Sequence, residues 1–242
     1  MKKILWYVSM LLKSIGFYFR TKKIRIKLEK NRDLDNVKKQ KYRWSKLILK
    51  MFKVKFDSKE NIKYAEGFKL EDNLLIISNH RSFLDILILE QSLQTLNKKN
   101  TTFIAKKELK TTPLIGKVIE LMNVLFIDRN NPRDFINLLK KIKERLKEQP
   151  KGNLFVIFPE GTRNKEQTKF GNFKEGYLKI AEKNKLNILP VYIKGNPEKY
   201  LEQYDGSKPK IEVFIGNIIN VKDKKAEDIE KEYKEQLKEN DF

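Results

Sequence analysis

The chain has 242 residues, 53 Lys/Arg against 32 Asp/Glu for a formal net charge of +21, a single histidine and no cysteine. The length suits one α/β domain with an appendage. The missing cysteines exclude disulfides, thiolate metal sites and cysteine nucleophiles, and one histidine excludes a multi-histidine zinc site.

The charge is unevenly placed. Residues 1–55 hold 18 Lys/Arg and 3 Asp/Glu, a net of +15, whereas the remaining 187 hold 35 and 29, a net of +6. Within the first segment Ile4 to Phe19 is almost wholly apolar, and Ser9, Lys13, Gly16 and Arg20 form a narrow polar stripe at helical spacing. Sixteen residues at ~1.5 Å rise reach ~24 Å, short of a ~30 Å hydrocarbon core, and Lys13 makes a crossing costlier. The pattern predicts a helix lying in a membrane interface. A signal peptide fits less well, because Lys13 breaks the apolar run and no small-x-small cleavage site follows.

A second amphipathic helix is predicted from Leu34 to Phe52, where Leu34, Val37, Trp44, Leu47, Ile48 and Met51 recur at helical spacing among Lys and Arg. Trp6, Tyr7, Tyr18, Tyr42 and Trp44 lie close to the cations. The two helices read as a membrane-docking arm over 1–55, ahead of a catalytic domain over 56–242. The expected place is the cytoplasmic face of the cell membrane, monotopic or peripheral, against an anionic surface. A nucleic-acid-binding arm has no use for the apolar run, so no nucleic-acid partner is expected.

From Asn73 onward strands alternate with helices. Strands are predicted at 74–78, 102–105, 124–127, 154–158, 188–193 and 211–215, and helices at 83–96, 114–122, 132–148, 174–184 and 226–238. Pro132 after Asn130-Asn131 marks a helix start. The alternation implies an α/β fold, a mostly parallel mixed sheet flanked by helices.

Two polar strings follow apolar strand-like runs: Asn79-His80-Arg81-Ser82-Phe83-Leu84-Asp85 and Phe158-Pro159-Glu160-Gly161-Thr162-Arg163. Loops at strand ends are where α/β enzymes place their chemistry. His80 and Asp85 are about 140° apart on an unbroken helix, so they meet only if His80 lies in a turn and Asp85 in the first helical turn. Ser82 then becomes the N-cap of a Ser-x-x-Asp pattern. The same residues read either as a capped turn and nothing more, or as a dyad in which Asp85 orients the imidazole while its other nitrogen takes a proton. A Ser82 nucleophile is a weak third option, since no Gly-x-Ser-x-Gly elbow is present.

The 79–85 string resembles the His-x4-Asp motif of the glycerolipid acyltransferases, in particular the 1-acylglycerol-3-phosphate acyltransferase family. Further strings agree in order: Ala105-Lys106-Lys107-Glu108-Leu109 with Pro113, Gly116 and Phe126-Ile127-Asp128-Arg129; then 158–163 with Phe173-Lys174-Glu175-Gly176 as sequel; then Ile188-Leu189-Pro190-Val191. The resemblance spans roughly 60 to 220. It implies acyl transfer from an acyl carrier protein or coenzyme A thioester to the sn-2 hydroxyl of 1-acylglycerol-3-phosphate, making phosphatidic acid. His80 would be the base and Asp85 its orienter, with no metal or cofactor. Glu160, Gly161, Thr162 and Arg163 would form the acceptor site. Lys106, Arg129 and Arg163 would hold its phosphate, with Lys107 an alternative to Lys106. The acyl chain calls for an apolar groove, between the sheet and the N-terminal hairpin. Asn164 stands where the family often has Ser, and Asn123-Val124-Leu125 where a glycine often precedes the Phe-Ile-Asp-Arg string. Competing expectations are the same chemistry on glycerol-3-phosphate or another lysophospholipid, and a non-catalytic basic membrane- or nucleic-acid-binding module.

Overall fold

The computed structural model describes residues 2–52, 54–96, 100–113, 115–164, 170–195 and 210–239. Its strands are β1 (Ile62–Tyr64), β2 (Leu74–Ser78), β3 (Asn100–Lys106), β4 (Leu125–Ile127), β5 (Asn153–Ile157), β6 (Asn187–Lys194) and β7 (Glu212–Ile215). They form one sheet in the order β1-β7-β6-β2-β5-β3-β4. The five strands from β6 to β4 run parallel, while β7 is antiparallel to β6 and parallel to β1. The mixed, mostly parallel sheet is as expected. The short edge strand β1 went unpredicted, because three residues with one part-buried side chain leave no apolar run to read.

Helices cover both faces, and strand alternation decides which residues meet them. Leu74, Ile76, Leu154 and Val156 point to the face carrying α1 (Lys2–Lys30), α2 (Leu34–Met51), α3 (Asp85–Leu93) and α4 (Gly116–Leu121). Leu75, Ile77 and Phe155 point to the face carrying α5 (Pro132–Glu148), α6 (Gly176–Asn184) and α7 (Ala226–Glu239). All five residues of β2 are buried, as a central parallel strand covered on both sides requires.

The N-terminal helix is longer than the apolar run predicted, continuing from Phe19 through the charged stretch to Lys30. The side chains of residues 1–14, including Trp6, Tyr7 and Lys13, lie outside the described residues. Ile24 and Leu28 of α1, with Val37, Trp44, Ile48 and Leu49 of α2, join the same core cluster as β2, β5 and α3. Trp44 donates its indole N–H to Thr21, tying the two helices at 3.3 Å. Asp33 caps α2 by accepting from Asn36 N at 2.7 Å. Among the described residues no helix is long and apolar enough to cross a membrane.

The 3₁₀ turn Lys107–Thr111 joins β3 to α4, which opens at Gly116; Leu114, where the sequence placed its start, lies outside the described residues. Gly116 packs against that turn so closely that a Cβ would stand 2.1 Å from the Lys110 carbonyl oxygen. Gly116→Ala is therefore expected to destabilise the fold by about 1–3 kcal/mol, the range for overpacking. Urea denaturation measures it, and a variant as stable as the wild type would show that the turn yields freely.

Candidate active site

The parallel strands end along one edge of the sheet, and the chemistry-bearing residues follow those ends. His80 comes two residues after β2, Phe158 to Arg163 directly after β5, Lys106 closes β3, and Arg129 is two residues past β4. The loop after β2 is fixed first. Asn79, fully buried, accepts from Ile193 N at 2.8 Å and donates to Ile193 O at 3.0 Å, locking the loop to β6.

The chain then turns sharply so that one carboxylate oxygen gathers three donors. Asp85 Oδ2 accepts from Arg81 N at 2.6 Å and Ser82 N at 2.7 Å, and lies 3.1 Å from His80 Nδ1. An oxygen already accepting two backbone N–H groups cannot donate, so Nδ1 carries a proton, and in the neutral ring the lone pair is on Nε2. The imidazole stacks on Phe158, with ring centroids 4.0 Å apart and planes at 16°. It is 15% exposed, whereas Asp85 is almost fully buried. The pair is therefore oriented from within and open from without. Such an imidazole can take a proton from a bound hydroxyl.

The cap differs from the sequence expectation. Helix α3 opens at Asp85 after a turn over Phe83 and Leu84, and no side chain caps it directly. Ser82 Oγ accepts from Leu84 N at 3.0 Å, and Ser82 lies two residues ahead of the N-cap position, which Leu84 itself occupies. Ser82 is also completely buried, which removes it as a nucleophile.

Glu160 braces this loop from the other side. Its Oε1 accepts from His80 N at 2.8 Å and its Oε2 from Gly171 N at 2.9 Å, while Asn164 N donates to His80 O at 2.7 Å. Burial pushes the Glu160 carboxyl above its usual value, opposed by those two backbone donors. Next to it Gly161 takes a left-handed conformation, φ +72°, and its carbonyl accepts from Arg129 Nη1. Partial burial holds the Arg129 guanidinium below its usual value, against the pull of Glu108.

Beside the loop lies an apolar cavity of about 340 Å³ between α1, α2, α3, α4 and β3, lined by Phe17, Trp44, Ile48, Phe83, Phe103 and Ile119 among others. Phe83 is three residues from His80, which places one part of the wall at the His80 loop. The lining also includes Lys41 and Glu90, both buried, with Lys41 donating to the Thr101 carbonyl at the start of β3. Burial drives the Lys41 ammonium down and the Glu90 carboxyl up, each opposed by the other's charge. Among the described residues no cluster of three or more His, Asp or Glu side chains gathers as for a metal.

Comparison with known proteins decides the family. The Acyltransferase family model matches residues 53–194, more than half of the chain. The chain belongs to that family. A 1-acyl-sn-glycerol-3-phosphate acyltransferase of Helicobacter pylori is 41% identical over 119 residues, covering 49% of this chain and 47% of that protein. A chloroplastic one of Arabidopsis thaliana is 36% identical over 138 residues, covering 57% of this chain and 36% of that protein. The chain thus spans about half the length, or less, of these curated relatives. The crystal structure of the 1-acyl-sn-glycerophosphate acyltransferase PlsC from Thermotoga maritima superposes with a TM-score of 0.69 over 99% of this chain and 96% of that one, at 23% identity. That likeness establishes the shared fold.

The acyltransferase fold brings together four of the predicted residues, His80, Asp85, Glu160 and Gly161, and sets Arg129 on the Gly161 carbonyl. It does not draw in Lys106, which is exposed at the end of β3, and Lys107 faces Asp134 at 4.0 Å. Thr162 and Arg163 are exposed on the same loop as Glu160. Three contributors went unassigned in the sequence. Asn79 is a polar residue at the end of an apolar strand, a signal that it must be satisfied by backbone. Phe158 opens the 158–163 string, where its type alone assigns it no role. Arg81, almost fully buried between Phe170 and Tyr192 at 6.0 and 5.5 Å from the ring centroids, gave no signal in the sequence.

Proposed function

We propose that this chain transfers an acyl group from a thioester of acyl carrier protein or coenzyme A to the sn-2 hydroxyl of 1-acylglycerol-3-phosphate, giving phosphatidic acid. The observation that carries this reading is the His80–Asp85 pair, its Nε2 free to act as base, set next to a cavity made for hydrocarbon. His80 removes the hydroxyl proton as the oxygen attacks the thioester carbonyl. Asp85 holds the imidazole and stabilises the imidazolium that forms. The tetrahedral intermediate then collapses, the thiolate leaves, and His80 returns the proton to it. The acceptor is itself the nucleophile, so no covalent enzyme intermediate is needed. The acyl chain occupies the apolar cavity. Glu160, with both oxygens taken by backbone, acts by holding the loops, while Gly161, Thr162, Arg163 and Arg129 face the acceptor, with Lys106 an outer cation.

The test is acyl transfer with lysophosphatidate, glycerol-3-phosphate and a second lysophospholipid in competition. Preferential turnover of lysophosphatidate supports the reading, and no transfer to any acceptor with either donor removes it.

The reading also sets the protein on the cytoplasmic face of a membrane. Ile15, Tyr18 and Phe19 of α1 are exposed, and Arg20, Lys23, Lys27, Arg43, Lys46 and Lys50 line a groove between α1 and α2. Apolar insertion adds to charge attraction, so binding to vesicles rich in anionic lipid is expected to persist at 0.5 M salt. Co-sedimentation measures it. Complete release at that salt would reduce the arm to a purely electrostatic contact.

A further inference from the structure

The sequel Phe173-Lys174-Glu175-Gly176 acquires a role from its position. Lys174 N donates to the Pro159 carbonyl at 2.9 Å, which fixes the segment against the 158–163 loop. Its side chain then runs over Gly161. A Cβ placed on that glycine would meet Lys174 Cδ at 3.2 Å, Lys174 Cε at 3.3 Å and Arg129 Nη1 at 3.3 Å. The Lys174 ammonium is one further bond of ~1.5 Å beyond Cε. An ammonium and a guanidinium therefore converge on one residue of the loop that braces His80.

Neither cation is ion-paired there, although the charge of Glu108 acts on Arg129. Among the described residues Lys174 and Arg129 form no ion pair, and the adjacent Glu175 is directed to Lys179 at 3.8 Å. Two like charges brought together with no carboxylate paired to either repel each other, and an anion between them removes that cost. Gly161 lets both cations lie against the loop, since any side chain there would press on both.

We propose that Lys174 is a phosphate-binding residue, pairing with Arg129 across Gly161 to clamp the phosphomonoester of the acceptor. A dianionic phosphate offers three oxygens, enough for the Arg129 fork and the Lys174 point charge together. Arg129 also spends one N–H on the Gly161 carbonyl, so its fork is oriented before substrate arrives. The inference rests on the acceptor reading above, and specifies which cation of the lysine-rich surface completes it. Lys174 is exposed like Lys106 and Lys107, but it is the lysine that lies against Gly161, while Lys107 faces Asp134.

The experiment titrates a soluble short-chain lysophosphatidate, and the matching monoacylglycerol without phosphate, into wild type, Lys174→Met and Lys174→Arg. Methionine keeps the aliphatic cover over Gly161 and removes the charge. Binding of the phosphate-bearing ligand should weaken about 10- to 100-fold in Lys174→Met, the range for one charged hydrogen bond. Lys174→Arg should stay within about threefold of the wild type, and the phosphate-free ligand should not distinguish the three proteins. Kinetics should show the same loss in KM with kcat nearly kept. Wild-type affinity in Lys174→Met overturns the proposal, as does an equal loss for both ligands, or a wild type that does not prefer the phosphate. Phosphate-selective binding without turnover would remove the acyl-transfer reading while leaving the clamp. Turnover with an unaffected Lys174→Met would do the reverse.

Discussion

His80→Ala is expected to lower kcat for acyl transfer to lysophosphatidate by about 10²- to 10⁴-fold while the protein stays folded. The range is what positioned base catalysis contributes, and His80 is the only imidazole in the chain, so no second one can substitute. The fold should tolerate the change because the neighbouring contacts are held by backbone. Asp85 keeps the Arg81 and Ser82 N–H groups, Glu160 keeps the His80 N–H, and Asn164 keeps the His80 carbonyl. What is lost is the ring stacked on Phe158, worth about 0.5–1.5 kcal/mol. Thermal unfolding of the variant should therefore shift by only a few degrees. Assays with both acyl carrier protein and coenzyme A donors separate a lost base from a poor donor. A folded variant within about tenfold of wild type with either donor would sink His80 as the base.

The parts of the fold that the sequence made legible are those where burial on both sides leaves no choice of residue. β2 reads as an unbroken apolar run because helices cover both of its faces, and α5 reads to its last residue because Asn131, Pro132 and a clear apolar stripe mark its bounds. The extension of α1 past Phe19 was hidden. Its outer face there is charged, and only Ile24 and Leu28 on the inner side report that it packs on the core. For the site, spacing put His80 ahead of the helix and Asp85 in its first turn, as found, but not the hydrogen bonds that join them. The cap went to a turn, and the carboxylate became the centre of a three-donor cluster instead. Glu160 shows the same gap. Its place in a motif marked it for the acceptor, whereas its two oxygens are committed to His80 N and Gly171 N, contacts across 80 and 11 residues that no local pattern encodes. The cavity is of this kind as well, since four helices, the 3₁₀ turn and β3 supply its wall.

Asp85→Asn is expected to be nearly as damaging to turnover as loss of the imidazole, with a larger cost to stability. The amide oxygen can take the place of Oδ2 and accept from Arg81 N and Ser82 N, so the turn survives. It then offers His80 Nδ1–H a neutral acceptor in place of a charged one, and the imidazolium formed at proton transfer loses its counter-charge within 3.1 Å. Charged hydrogen bonds are roughly twice as strong as neutral ones, and the loss falls on the transition state. A drop in kcat of about 10²- to 10³-fold follows, with KM for the acceptor little changed. The amide nitrogen must occupy the position of Oδ1, which is buried and makes no hydrogen bond among the described residues. A donor buried there without a partner costs about 1–3 kcal/mol. If the amide flips to relieve this, its N–H₂ faces two backbone donors and the loop opens. Asp85→Ala removes the acceptor altogether and strands both N–H groups, so it should destabilise more than Asn does. The measurement is kcat and urea midpoint for the three proteins side by side. Asn and Ala variants equally stable and within tenfold of wild-type activity would reduce Asp85 to one residue of a turn, and would leave His80 without the charge that makes it a base.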